Sequence, residues 1–354
     1  MAGGFDEFHP QLRAVARSML AASAGSEVDP RSIVDSGWLG LEAPESLGGA
    51  GATFAETAVV LREVGRAAAD TRYPSIAVSA LGALGVLEPS TERDRLLRDT
   101  VSGETTTCLV VDGEAMADSG FRVKSDTTGL VVDGAADFVA DAVCADRLLV
   151  VAVDADGSPV IAEFDRDTPG LVVAPTTVLD STRRFGRVVA DSARPRSVSR
   201  FHGDPWRRVR TLHDRAAVAV ACDSLGLSEA MLEATVTYAR TRQQFGRPIG
   251  SFQAVKHACA DMLVRVRVAE KLVAAAVREL AEEQRPYADV TVAMAKSYAC
   301  ASAVEVVGKA MQLHGGIGYT WDADLHVYLK RATLNRALFG TPRGYRARLA
   351  ARYR

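Results

Sequence analysis

What most limits how this chain can fold is that its hydrophobic period changes twice along its length. Residues 5–90 repeat apolar side chains every three or four positions, as in Leu12, Val15 and Leu20 and again in Ala58, Leu61 and Val64, the spacing of one helix face. From 105 to 198 the period shortens to β-rich runs at 108–111, 130–132, 148–153, 160–164, 171–173 and 188–189, punctuated by Gly and Asp. After Pro205 the helical period returns in long segments, 206–241, 250–284 and 288–315, with a shorter one at 324–336. The expected chain is therefore α+β: an N-terminal helical domain over 1–98, a middle β-sheet or barrel over 99–198 and a C-terminal helical bundle over 199–354, with 194–204 as linker. The helical ends are expected to close into one body with the β-region packed against it, and no internal repeat is present.

Composition excludes several roles. With 354 residues, 48% hydrophobic, 24% charged and a formal net charge of −2, the chain can bury a large core but has no basic field to attract nucleic acid or anionic lipid. The five cysteines, Cys108, Cys144, Cys222, Cys259 and Cys300, are scattered without CxxC spacing and read as reduced, mostly buried thiols. His257 and Cys259 lie two apart on a helix and cannot face one ion, so no metal is expected. No apolar run reaches the roughly 20 residues needed to span a bilayer, and residues 1–10 lack a basic start and apolar core, so a soluble, cytoplasmic protein is expected. Gly48-Gly49-Ala50-Gly51 follows no apolar strand and lacks the phosphate-loop lysine; it reads as a turn between helices. No GxSxG element marks a hydrolase. The stripe Val264, Val268, Leu272 and Ala275, and its partner Val304, Val307 and Met311, are expected to form bundle core.

Two segments carry chemistry. Tyr238 to Gln253 reads YARTRQQFGRPIGSFQ, a helix stop followed by a new helix, with Arg242 and Gln244 at the exposed junction. An arginine there could be a plain helix-end residue; it is also the side chain best suited to grip a diphosphate, through two parallel charge-assisted bonds. Further on, Gln312-Leu313-His314-Gly315-Gly316-Ile317-Gly318-Tyr319 places small residues at a helix end, where a ligand can approach the backbone closely. On spacing alone the first reads as a helix stop and the second as a cap and turn; the pair, separated by about 70 residues of mostly amphipathic helix, is more specific.

With Trp38-Leu39-Gly40-Leu41-Glu42-Ala43-Pro44, Glu63-Val64-Gly65-Arg66, Ala260-Asp261-Met262 and Ala295-Lys296 added in order, the sequence resembles the acyl-CoA dehydrogenase family over nearly its whole length. The resemblance implies an N-terminal helical domain, a middle β-domain and a C-terminal four-helix bundle. It also implies FAD lying across a subunit interface, an acyl-CoA substrate and an electron-transferring acceptor. The positions matching Arg242, Phe245, Gln312 and Gly316 would reach the diphosphate and adenosine end of a flavin held mainly by a neighbour, with Gln244, Gln253, Gly315 and Thr341 as further contacts.

The departures from the family pattern concern catalysis. Removing the α-proton of an acyl thioester needs a base within hydrogen-bond reach of that carbon. Where the family carries a Tyr-Glu-Gly-Thr stretch this chain has Leu338-Phe339-Gly340-Thr341, and the alternative position on the first bundle helix falls on Ala217. Neither side chain accepts a proton, which leaves no catalytic residue assigned. Asp214, between His213 and Arg215, is the outside candidate for a relocated base. The stretches that cover the flavin ring in the family correspond to Val111-Asp112-Gly113-Glu114 and Phe138-Val139-Ala140, where the ring-side hydroxyl is missing. The pattern resembles the non-catalytic subunit of heteromeric acyl-CoA dehydrogenases, α2β2 assemblies that oxidise bulky substrates such as steroid side-chain thioesters. The alternatives are a self-sufficient homo-oligomer using Asp214 and a flavin-free scaffold on the same fold.

Overall fold

The computed structural model describes residues 6–23, 26–111, 120–127, 129–282, 287–319 and 324–352. The chain divides into two compact units, one of Val28–Thr53 and Asp70–Ala216, the other of Met1–Glu27, Phe54–Ala69 and Ala217–Arg354.

The first unit is built on the middle of the chain. Three short helices, α2 (Pro30–Asp35), α4 (Leu81–Gly85) and α5 (Thr91–Val101), accompany the sheet. The Asp29 side chain accepts from the Arg31 N–H at 3.1 Å to start α2, and Ser90 Oγ accepts from the Arg93 N–H at 3.1 Å to start α5, satisfying donors that a helix start leaves open. The eight strands are β1 (Thr107–Val110), β2 (Phe121–Asp126), β3 (Gly129–Ala140), β4 (Arg147–Val153), β5 (Pro159–Asp165), β6 (Leu171–Thr176), β7 (Phe185–Ala193) and β8 (Ser197–Arg200). Their order is β6-β7-β3-β2-β4-β5-β8, with β1 beside β4. Val132, Leu148, Val150, Phe164 and Val188 are fully buried in its core.

Two strands depart from the expected pattern. In β2 only Phe121 and Val123 are buried, alternating with exposed Arg122 and Lys124, too short an alternation to stand out in sequence. The expected linker 194–204 contains β8, which pairs with β5 from Val160↔Arg200 to Glu163↔Ser197. Its only apolar residue is Val198, and the hydrogen-bonding edge of β5 supplies what its composition does not.

A buried acid sits at the end of β3. Asp141 has φ 56°, and its carboxylate accepts from Ser75 Oγ at 2.5 Å. Ser75 belongs to a π-helical segment, Pro74–Ala80. Burial pushes the Asp141 carboxyl above the usual aspartate range, against the pull of Ser75, Arg183, Arg72 and Arg184.

The second unit holds α1 (His9–Ala22), α3 (Phe54–Arg66), α6 (Pro205–Thr241) from Ala217 onward, α7 (Gln253–Ala281), α8 (Ala288–His314), α9 (Leu325–Ala337) and α10 (Pro342–Arg352). Helix α3 is buried along most of its length and held by ion pairs: Glu63 takes two bonds from Arg17 at 2.9 and 3.1 Å, Arg62 reaches Glu229 and Glu270, and Arg66 reaches Glu233. Helices α3 and α6 meet through glycine. A Cβ on Gly226 would lie 1.9 Å from the Arg62 carbonyl oxygen, and one on Gly65 would lie 2.0 Å from that of Asp223. Arg331 on α9 is fully buried beside this contact, donating to Asp223 at 3.0 Å and to the Ala69 carbonyl at 2.9 Å.

The bundle stripe is partly displaced. Val307 and Met311 of α8 are buried as the spacing predicts, and Val304 is half-buried, but Val264 and Val268 of α7 are 61% and 38% exposed. The buried face of α7 is Met262, Val266, Ala269, Val273, Ala276 and Leu280. Two apolar stripes of equal period run along this helix two residues apart, and period alone cannot say which one faces inward. Helix α8 is, by length and hydropathy, apolar enough to cross a membrane, yet 61% of its most apolar stretch is buried in the protein. It also carries Lys296, fully buried, whose Nζ donates to the Asn335 carbonyl at 2.6 Å; burial pushes this ammonium below the usual lysine range. Neither property suits a lipid-facing helix.

Two outcomes are expected. Gly226→Ala forces α3 and α6 apart and should cost about 3 kcal/mol or more in denaturant unfolding, as overpacking of a rigid contact does; a loss near zero would mean the helices are not held at this distance. At Asp141 the folded state holds its proton more tightly than the unfolded chain, so the stability it confers is present below the usual aspartate pKa and is lost as pH rises. Asp141→Asn, which cannot ionise and tolerates positive φ, should therefore melt higher than the parent near neutral pH. The gap should close as pH falls toward about 4, and a gap that widens on acidification would contradict this.

Candidate functional site

The residues expected to hold a cofactor lie in the second unit, on two helix ends and one turn. Helix α6 ends at Thr241, and the chain at once makes a minimal hairpin in which Gln243 pairs with Pro248 and Gln244 with Arg247. The two residues at its tip, Phe245 and Gly246, have φ 51° and 76°. Positive φ at both central residues is the type I′ geometry that suits a two-residue hairpin. Asn-Gly normally fills such a turn; a phenylalanine at the first position carries backbone strain. Phe245 is 91% exposed and meets Phe252 edge-on at 6.1 Å, while the Arg247 guanidinium covers the Phe252 ring at 4.2 Å. The Ile249 N–H donates to the Arg242 carbonyl at 2.8 Å, and Gly250 lets the chain pass Ala239, whose carbonyl oxygen would lie 2.9 Å from a Cβ there. Arg242 and Gln244 are exposed, as is Gln253, the first residue of α7.

The second helix end is that of α8. Gln312 is exposed, its side-chain oxygen accepting from Lys309 Nζ at 2.9 Å. Gly315 has φ 63° and ψ −140°, a conformation essentially confined to glycine. Gly316 is exposed, with open space where a Cβ would stand. Arg242 at the end of α6 and the exposed glycines at the end of α8 each have chemistry that suits a diphosphate: a guanidinium offers charge-assisted donors and glycine allows close approach.

A ring stack joins the two ends. Tyr238 of α6 lies over His314, the last residue of α8, with centroids 4.4 Å apart and planes at 21°. The Tyr238 hydroxyl donates to the His314 carbonyl at 3.4 Å. His314 Nδ1 lies 2.8 Å from the Ala310 carbonyl, which can only accept, so Nδ1 carries the proton. Sequence reasoning quoted both residues without giving either a role; their signal was proximity to a motif, and only the fold makes them neighbours.

The turn between α9 and α10 keeps a defined shape. Phe339 has φ 53° and Gly340 φ 95°. The Tyr345 hydroxyl donates to the Phe339 carbonyl at 3.0 Å, and Thr341 Oγ1 accepts from the Gly344 N–H at 3.2 Å, capping α10. This cap uses one lone pair of the Thr341 hydroxyl. Phe339 is half-buried, Ala217 fully buried and Asp214 half-buried. Of the ring-side stretches, 112–114 lie outside the described residues. Phe138, Val139 and Ala140 end β3, where the register slips between Ala136 and Val139. Phe138 has φ 51° and packs edge-on against Phe185 at 6.4 Å, and the Ala140 carbonyl accepts from the Cys108 thiol at 3.2 Å.

Comparison with known proteins agrees with this architecture. Residues 9–104 match the acyl-CoA dehydrogenase N-terminal domain and residues 203–353 the acyl-CoA dehydrogenase C-terminal domain. The chain is 31% identical to the acyl-CoA dehydrogenase IpdE2 of Mycobacterium tuberculosis over 86% of its own length and 80% of that protein. It is 32% identical over 84% of its length to the acyl-CoA dehydrogenase FadE34 of the same organism, and the match spans only 38% of that longer protein. Among solved structures it resembles the ChsE4-ChsE5 complex from Mycobacterium tuberculosis, with TM-score 0.86, 25% identity and coverage of 98% of this chain and 96% of that one. The N-terminal helices, middle sheet and C-terminal helices, read together with these similarities, make this chain a member of the acyl-CoA dehydrogenase family.

Proposed function

We propose that this chain is the flavin-gripping subunit of a heteromeric acyl-CoA dehydrogenase, in which a second, related subunit supplies the catalytic carboxylate. The observation that carries the reading is Phe339. It occupies a turn held by Tyr345 and capped by Thr341, where a carboxylate would serve as base, and a phenyl ring can neither take nor give a proton. Ala217, at the alternative position, is a buried methyl. The similarity to one chain of a two-component complex supports the same assignment.

In this reading Arg242 pairs with the diphosphate of FAD, Gly315 and Gly316 leave the end of α8 open to it, and Phe245, Gln244, Gln253, Gln312 and Thr341 complete the contacts. FAD supplies the acceptor for the β-hydrogen of an acyl-CoA thioester. The chain's own residues bind and orient that cofactor; proton abstraction belongs to the partner. A bulky acyl group such as a steroid side chain is the substrate class we favour.

Co-purification tests this. The chain expressed alone should be colourless or nearly so, and co-expression with a related subunit should give a yellow mixed tetramer, read by visible spectrum and native mass. A yellow homo-oligomer that reduces a dye acceptor with a thioester would overturn the reading and move attention to Asp214. A second outcome concerns the base alone: Phe339→Glu should restore no turnover to the isolated chain, since Phe138, Val139 and Ala140 still offer no ring-side hydroxyl. Measurable thioester-dependent dye reduction by that variant would contradict this.

A further inference from the structure

We infer that Tyr238 and His314 are a positioning pair that holds the two flavin-gripping segments in fixed register, an assignment that rests on the flavin reading above. Each residue is adjacent to one segment. The Arg242 N–H donates to the Tyr238 carbonyl at 2.8 Å, so Tyr238 lies one helical turn before the arginine. His314 is bonded directly to Gly315 at the end of α8.

Neither segment is rigid by its own means. The hairpin after α6 has two residues in each strand, far below the size that holds together unaided, and residues 241–248 are exposed throughout. Gly315 has the backbone freedom of glycine. A ligand gripped by both segments requires their separation to be held to roughly 0.5 Å.

The ring stack supplies that constraint. His314 is buried, and its imidazole is fixed in plane by the Nδ1 bond to Ala310 and in height by the Tyr238 ring at 4.4 Å. The Tyr238 hydroxyl satisfies the His314 carbonyl, one of the last four of a helix, which have no partner within it. The stack therefore ties α6 to α8 one turn before the first segment and one bond before the second. A core packing role alone would need only apolar contact; two directed hydrogen bonds on the same ring pair fix its rotation as well.

The test uses the mixed assembly formed with the co-expressed related subunit, stripped of flavin and reloaded. FAD affinity is titrated by flavin fluorescence for the parent, His314→Ala, His314→Phe, Tyr238→Phe and Arg242→Ala. Hydrogen exchange at residues 243–248 and 315–318 is followed without flavin. His314→Ala should weaken FAD binding about tenfold, the size typical of a residue that orients a direct ligand contact, and should speed exchange in both segments. His314→Phe, which keeps the stack, should recover most of the affinity, and Tyr238→Phe should fall between. If His314→Ala binds FAD like the parent while Arg242→Ala loses it, the positioning role is wrong and the flavin reading stands. Unchanged binding in both variants defeats both ideas, and unchanged exchange in His314→Ala defeats the positioning role whatever the flavin does.

Discussion

The close meeting of α3 and α6 at Gly65 and Gly226 governs how the second unit can be assembled. With no Cβ on either residue the two backbones pass with a carbonyl of each helix filling the space that a methyl would need, nearer than any other residue pair permits. That approach sets the reach of every polar group around it. Arg62 and Arg66, on the turns flanking Gly65, can then meet Glu229 and Glu233 on α6. Arg331 can touch Asp223 and the chain just beyond α3 at once. A cation against the carbonyls that follow a helix end is favourably placed, and its burial is tolerable because it has both a carboxylate and two carbonyls as partners. Removing Asp223 alone would leave a buried guanidinium without its counter-charge, costlier than replacing the pair by apolar residues.

From this node the order passes to the turn between α9 and α10. Asn335 donates to Asp223 at 2.6 Å and its carbonyl accepts from Lys296 at 2.6 Å, so the last full turn of α9 is fixed from two sides. Three residues later the Leu338 N–H closes onto Leu334 at 3.1 Å, and Phe339 follows with positive φ, its carbonyl held by Tyr345. The strain of a left-handed phenylalanine, of order 1–3 kcal/mol, is opposed by the Tyr345 bond to the Phe339 carbonyl and by the Thr341 cap of α10. Neither of these two bonds uses a side-chain atom of residue 339.

Much of the fold could be read in the sequence. Helices α6, α7, α8 and α9 fall within a few residues of the periodicity that predicts them; α6, α7 and α8 each carry a long apolar repeat bounded by Pro or Gly. Helix α10 gave no such signal: its eleven residues include four arginines and bury only Pro342 and Tyr345. Strands β2 and β8 are hidden for the same reason, with two and one apolar residues, and β8 finds its partner β5 more than thirty residues away. The exposed second stripe of α7 reads as core in the sequence because two apolar stripes coexist on one helix. At the candidate site, residue types and spacing pointed to Arg242, Gln312 and the glycines. The link between the segments is a contact between residues 76 apart, invisible to any local pattern.

The hairpin after α6 carries the last step. Phe245 bears two local costs, a positive φ that disfavours a bulky residue and 91% exposure of an aromatic ring, and its edge-on meeting with Phe252 recovers little of either. Asn or Asp would serve the type I′ turn better if the hairpin existed only to reverse the chain. Arg247, stacked on Phe252, keeps a further cation beside the same tip. A strained, exposed aromatic flanked by arginines is ill suited to a chain that acts by itself and well suited to meeting a flat, anionic ligand presented from another surface. The local disagreement between turn chemistry and residue type at Phe245 supports the contact proposed for this tip.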